Sequence, residues 1–92
     1  MFYVYLLESK KGKKFYTGCT NNLSRRVKEH NLGLNKSTKP HKPYKIIYYE
    51  AYINKDDAFA REKILKGQWG RKYINRVLIK YFVSSGRTNV SI

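Results

Sequence analysis

Hydrophobic and polar positions along the chain fall into short segments with distinct periods. Phe2 to Glu8 puts Phe2, Val4 and Leu6 on one side and Tyr3, Tyr5 and Leu7 on the other. Both sides are apolar or aromatic, which predicts a central strand covered on both faces. Lys10, Lys11, Gly12 and Lys13 make a polar turn, and Phe15 to Thr20 returns to β-branched and aromatic character, so the two strands are expected to pair as an antiparallel hairpin. Asn21 and Asn22 supply capping side chains for a helix over Leu23 to Asn31, with Leu23 and Val27 one turn apart and Gly33 beyond its end. Leu32 to Pro43 is rich in Asn, Ser, Thr, Lys and Pro and reads as a loop; Tyr44 to Tyr52 reads as a third strand.

Asn54, followed by Asp56 and Asp57 where acids favour the helix dipole, starts a second helix that runs to about Gln68. Gly67 and Gly70 break it, and Arg71 to Phe82 gives a third helix with Ile74, Val77, Leu78 and Tyr81 on one side. Ser84 to Ile92 has turn formers and no period, so a flexible tail is expected after a domain of residues 1–83. The fold class that follows is α/β, a small three-stranded antiparallel sheet flanked by about three helices.

A length of 92 residues leaves room for one domain and excludes a two-domain enzyme. Charge narrows the field further, because 20 Lys and Arg against 6 Asp and Glu give +14. That is the footprint of a polyanion binder, with nucleic acid as the first partner to consider. An anionic membrane surface would need an amphipathic anchor or a lipid as well, and neither is evident. The charge-free run Met1 to Leu7 is too short to span a membrane and lacks the basic flank and cleavage site of a signal peptide, so a cytoplasmic location is expected. Cys19 is the one cysteine; with His30 and His41 alone it makes a poor zinc site, and it reads as a small buried residue.

Glu62 is the anomaly. At ~100° per residue Ala58, Glu62, Leu65 and Trp69 fall within about 60° of one another, which places a carboxylate in the middle of a stripe that should face the core. From spacing alone this is open between an ion pair with a Lys or Arg and a metal or catalytic role. Glu8, Glu29 and Glu50 fall at strand ends or on an exposed helix face, and Asp56 and Asp57 look like capping acids, so Glu62 is the one acid on an apolar helix face. Arg26 and His30, four apart on the first helix, project beside Leu23 and Val27 and read from spacing alone as a solvated basic face. Tyr3, Tyr5 and Tyr16 read equally as core aromatics with hydroxyls at the surface.

Taken together and in order, these features resemble the GIY-YIG nuclease superfamily. They are Tyr3-Val4-Tyr5, then Tyr16-Thr17-Gly18, then Asn22-Leu23-Ser24-Arg25-Arg26-Val27 opening a helix, then His30, and Glu62 on a later helix. The match is to small stand-alone members and, more distantly, to the nuclease domains of the bacterial excision-repair incision subunit and of certain homing endonucleases, and it covers roughly residues 2–82. Tyr3 stands where the first motif has Gly, and Thr17 where the second has Ile; neither change removes a tyrosine hydroxyl.

The resemblance implies an endonuclease that hydrolyses phosphodiester bonds, in DNA ahead of RNA, selecting by substrate structure, with DNA repair as a setting. Tyr16 would act on the nucleophilic water as general base or position it, and Tyr5 would support it by hydrogen bonding. Arg26 would bind the scissile phosphate, and His30 would assist in proton transfer or phosphate contact. Glu62 would hold one divalent metal, Mg²⁺ or Mn²⁺; Asn75 is a weaker candidate. These residue types suit the chemistry, since an Arg fork and a divalent cation act where phosphoryl charge develops, and Mg²⁺ that keeps its waters needs few carboxylates. A tyrosine with an ordinary pKa of about 10 needs neighbouring positive charge to serve as a base at neutral pH. The rival reading is a non-catalytic basic nucleic-acid binding module, and a translation-associated RNA-binding protein rests on charge and size alone. With no separate recognition domain, a protein partner or the shape of the substrate would supply selectivity.

Overall fold

The computed structural model describes residues 1–11 and 14–86. The turn expected at Lys10 to Lys13 and the tail expected at Ser84 to Ile92 therefore lie partly outside the described residues. Three strands, β1 (Phe2–Ser9), β2 (Phe15–Thr20) and β3 (Tyr44–Tyr52), form one antiparallel sheet in the order β2-β1-β3. β1 is the centre, as its two apolar faces require: Val4, Tyr5, Leu6 and Leu7 are all buried.

Each face of β1 has its own helical cover. Tyr5 and Leu7 face α1 (Leu23–Asn31), packing with Tyr44, Tyr16, Leu23, Val27 and Ile46. Val4 and Leu6 face the other way, onto α2 (Lys55–Lys66), α3 (Gln68–Val77) and α4 (Ile79–Ser84). Val4 packs with Ala58 and Leu65, and Leu6 with Ile74 and Phe82. Cys19 is half-buried against the Val4 group, so it is a packing residue less enclosed than expected. Opposite β1, Leu6 pairs with Tyr48 and Leu7 with Ile46, so Ile47 is the extra residue of a bulge and turns into the Leu6 group.

The caps are those the sequence predicts. The Asn22 side chain accepts from the Arg25 amide at 3.0 Å at the start of α1, and Asn54 accepts from the amides of Asp56 and Asp57 at the start of α2. Three local expectations change. Gly67 ends α2, but Gly70 lies inside α3, where a Cβ would sit 2.1 Å from the Leu65 carbonyl oxygen. Its bareness serves a close approach of backbones and does not break a helix. The single helix expected over Arg71 to Phe82 is two, parted at Leu78, which caps α3 by donating its amide to the Ile74 carbonyl at 3.0 Å. The loop from Leu32 to Pro43 contains a 3₁₀ turn at Lys39–His41, with Thr38 buried just before it. Among the described residues no helix is long and apolar enough to cross a membrane.

Candidate active site

Pairing of β1 with β2 sets Tyr5 opposite Gly18 and Leu7 opposite Tyr16, so the Tyr5 and Tyr16 side chains rise from neighbouring strands on the α1 face. A Cβ on Gly18 would lie 2.3 Å from the Tyr5 hydroxyl oxygen, so the second motif's glycine makes room for the first motif's tyrosine. The buried Tyr5 hydroxyl accepts from Arg26 Nε at 3.3 Å and pairs with His30 Nε2 at 3.0 Å. His30 is fully buried, with Nδ1 2.7 Å from Thr38 Oγ1. The Thr38 hydroxyl also lies 3.4 Å from the Asn35 carbonyl. The neutral ring is thus held between two hydroxyls, one nitrogen donating and the other accepting. One chain of hydrogen bonds therefore runs from Arg26 through Tyr5 and His30 to the loop.

Electrostatics fixes the protonation states along that chain. Burial pushes the Tyr5 phenol up to about 12, against the opposing hydrogen bond from Arg26, so Tyr5 is neutral at pH 7 and unsuited to act as a base. Burial, with Arg26 nearby, holds His30 below its ordinary value and keeps the ring neutral. Tyr16 is placed differently. It is half-buried, its ring 5.0 Å from that of His30 and 6.4 Å from that of Tyr5, and among the described residues its hydroxyl has no protein hydrogen-bond partner. The support expected from Tyr5 by hydrogen bonding is thus ring packing, because the Tyr5 hydroxyl is committed to Arg26 and His30.

Arg26 keeps its side chain 30% exposed, with Nε on Tyr5 and Nη1 on Glu29 at 3.2 Å. Among the described residues Nη2 has no protein partner, so one arm of the fork is available to an anion. His30 does not share that exposure, contrary to the basic-face expectation. Leu23, Val27 and His30 recur at i, i+4 and i+7, a spacing that puts His30 within the apolar stripe of α1.

The acids divide by how fully the fold engages them. Glu8 is buried and accepts from the Tyr81 hydroxyl at 2.6 Å. Glu50 accepts from Arg61 at 2.8 and 3.0 Å, from Tyr48 at 2.5 Å and from Tyr52 at 2.6 Å. Both are set deeper than a strand-end position suggests, so Glu62 is not singled out by burial. Among the described residues Glu62 makes one ion pair, 3.0 Å to Lys66, a side chain 52% exposed, while Glu62 itself is 18% exposed. It lies on α2, which packs against both β1 and β2, and after burial its charge adds to the upward push on the Tyr5 hydroxyl and the Cys19 thiol. Trp69 leaves the stripe expected to hold Glu62, because the helix that would carry it there ends at Gly67.

Among the described residues no group of three or more His, Cys, Asp or Glu side chains could hold a metal. One accessible carboxylate with a displaceable lysine fits a divalent ion that keeps most of its waters and shares a substrate phosphate. It does not fit a fully protein-caged ion. Asn75 lies on α3 with a buried Oδ1 that has no hydrogen-bond partner among the described residues. Thr38 is the member of the site that motif reading missed, and Gly18, quoted in the second motif, had no role assigned to it. Gly18 carries a signal in its place opposite Tyr5, whereas Thr38 in a polar loop carries none.

The family model described as the GIY-YIG catalytic domain matches residues 1–75. A UPF0213 protein of Clostridium perfringens is 45% identical over 67 residues, covering 72% of this chain and 71% of its own. Another, from Haloquadratum walsbyi, is 35% identical over 65 residues, covering 70% and 72%. The solution NMR structure of a UPF0213 protein from Bacillus halodurans superposes with a TM-score of 0.51 at 35% identity, covering 87% of this chain and 86% of that one. A GIY-YIG domain implies nuclease chemistry on a nucleic-acid substrate, typically with a divalent metal. The three strands, the tyrosine pair and the matched span agree: this chain belongs to the GIY-YIG family, and its relatives are that family's small stand-alone UPF0213 proteins.

Proposed function

We propose that this chain is a metal-dependent endonuclease that hydrolyses phosphodiester bonds in DNA in preference to RNA and selects its substrate by shape. The observation that carries this reading is the division of labour between the tyrosines. Tyr5 is spent on Arg26 and His30, while the Tyr16 hydroxyl, in the same cluster, is uncommitted. Tyr16 orients the attacking water and takes its proton as general base. Water oxygen bonds to phosphorus, the bond to the leaving oxygen breaks, that oxygen takes a proton from solvent water while the proton taken from the attacking water returns to solvent, and a phosphate end and a hydroxyl end remain.

Arg26 presents Nη2 to the phosphate and neutralises the charge that develops there. Its orientation comes from Tyr5 and Glu29. His30, being buried, acts on Arg26 through Tyr5 and not on the phosphate directly. Glu62 would hold one Mg²⁺ or Mn²⁺, which supplies Lewis-acid stabilisation of the phosphoryl oxygens. The test is cleavage of labelled single-stranded, duplex, flap and junction DNA and RNA in Mg²⁺, Mn²⁺ or EDTA. Cutting of a branched or flapped DNA with metal and none in EDTA is expected. Undiminished cutting in EDTA removes the metal from the account, and absence of cutting on every substrate favours a basic binding module.

A further inference from the structure

One side of α3, reaching from the core at Tyr73 out to solvent, has a composition that the cleavage chemistry leaves unused. Trp69, Lys72, Tyr73 and Arg76 recur at i, i+3, i+4 and i+7 and so share one side of that helix. Trp69 is 52% exposed although it is the largest apolar side chain in the molecule, and Lys72 and Arg76 are exposed beside it. Its ring stacks on Tyr73, with centroids 5.0 Å apart and planes 15° apart. Arg61 of α2 lies against both rings, 5.2 Å from one centroid and 5.0 Å from the other. Two hydrogen bonds to Glu50 fix Arg61 in turn. The indole is therefore braced from behind, flat, and open to solvent, with cations a turn away.

We infer that Trp69 is a stacking platform for an unpaired nucleobase, with Lys72 and Arg76 holding the phosphates on either side of it. The inference rests on the nuclease reading and adds that the substrate brings a single-stranded segment. A base within a duplex already has both faces stacked and cannot use the platform, whereas an unpaired base presents a free face that an aromatic ring accepts regardless of sequence. The cations beside the ring select a polyanion over an apolar protein surface. Arg61 and Glu62 are consecutive on α2, so the platform borders the same helix that carries the candidate metal ligand. A flap or a frayed junction offers both parts at once, a duplex for the basic surface and an unpaired strand for Trp69.

Because the chain has one Trp, its fluorescence reports this contact alone. Parent protein in EDTA is titrated with a short oligothymidylate, with an abasic phosphodiester of the same length, and with a blunt duplex. The oligothymidylate is expected to quench the indole and the abasic strand to leave it bright. Trp69→Ala is expected to weaken oligothymidylate binding by roughly fivefold or more, to change duplex affinity by less than about twofold, and to leave the salt slope unchanged. Trp69→Phe, which keeps a ring, recovers most of the loss. Equal quenching by the abasic strand, or equal affinity of the Ala variant for the oligothymidylate, overturns the platform and leaves Trp69 as a cover for the Arg61–Glu50 pair. Should the Ala variant unfold, the quenching comparison and the Phe variant decide. Duplex binding without any stacking signal defeats this inference alone, whereas no binding of any nucleic acid at low salt defeats the nuclease reading too.

Discussion

Tyr5→Phe and Tyr16→Phe each delete one hydroxyl and keep the ring, yet their consequences should be opposite. In Tyr5→Phe the Arg26 Nε loses its acceptor and the fully buried His30 Nε2 loses its hydrogen-bond partner. No cavity opens, so the cost is that of two hydrogen bonds, one of them to a charged group, and of a buried ring nitrogen left unsatisfied, about 2–3 kcal/mol. For a domain of this size that lowers Tm by about 10–20 °C. In Tyr16→Phe no protein hydrogen bond is lost, so stability stays within about 0.5 kcal/mol of the parent. The rate, however, should fall roughly 10² or more if that hydroxyl handles the water. Thermal unfolding followed by circular dichroism, beside single-turnover cleavage of a labelled flap, reads both quantities. An unchanged Tm in Tyr5→Phe would show that the Arg26–Tyr5–His30 chain is not formed. Parent-like turnover in Tyr16→Phe would return Tyr16 to core packing.

Arg26→Lys keeps the charge but loses the planar fork that engages Tyr5, Glu29 and an anion together, and cleavage should drop by roughly 10² or more; an equal rate would reduce Arg26 to a diffuse electrostatic contact. Gly18→Ala places a methyl against the Tyr5 hydroxyl, so urea unfolding should show a loss of about 1–3 kcal/mol together with loss of cleavage, and a variant normal in both would put the Tyr5 ring elsewhere. His30 has a folded pKa below its unfolded value near 6.5, so the folded state binds fewer protons. Its contribution is complete above that value and fades as pH falls through it. Urea midpoints should therefore decline below about pH 6.5 in the parent and stay flatter in His30→Gln, whereas the lowered pKa of Glu50 acts only as pH falls below its ordinary 4.5. Identical profiles for the two proteins would contradict the buried neutral imidazole.

Strand β1 was legible because six successive residues carry apolar or aromatic character on both faces, a pattern with few alternatives, and α1 and α2 were legible from Asn22 and Asn54. What the periods could not reveal arises from packing between segments. Extending the helical wheel across Gly67 carried Trp69 into the core, although a helix that ends cannot transmit its phase. Nothing in the local sequence marks Leu78 as a break; the chain turns there and both Ile74 and Phe82 reach Leu6. Gly70 reads as a breaker until the Leu65 backbone is seen against it. In the site, Tyr5, Tyr16, Arg26 and His30 come together as the motif order implies. The second anchor of the His30 ring is Thr38, which a distant loop delivers and no spacing announces.

The central claim, that Glu62 serves the reaction and not the fold or the affinity, is tested most directly by Glu62→Gln measured for binding and cutting on the same flap substrate. The Lys66 pair it breaks is exposed on one side and contributes about 1 kcal/mol or less, so the variant should fold. The cations, not this acid, attract phosphate. Affinity without metal should therefore equal or exceed the parent's, with log K falling by the same amount, about 0.9 per phosphate contact against log salt on duplex DNA. Cleavage in Mg²⁺ should be abolished. A variant that folds, binds and cuts as fast as the parent would contradict the claim and move the metal site elsewhere, and one that unfolds would make Glu62 a structural ion pair.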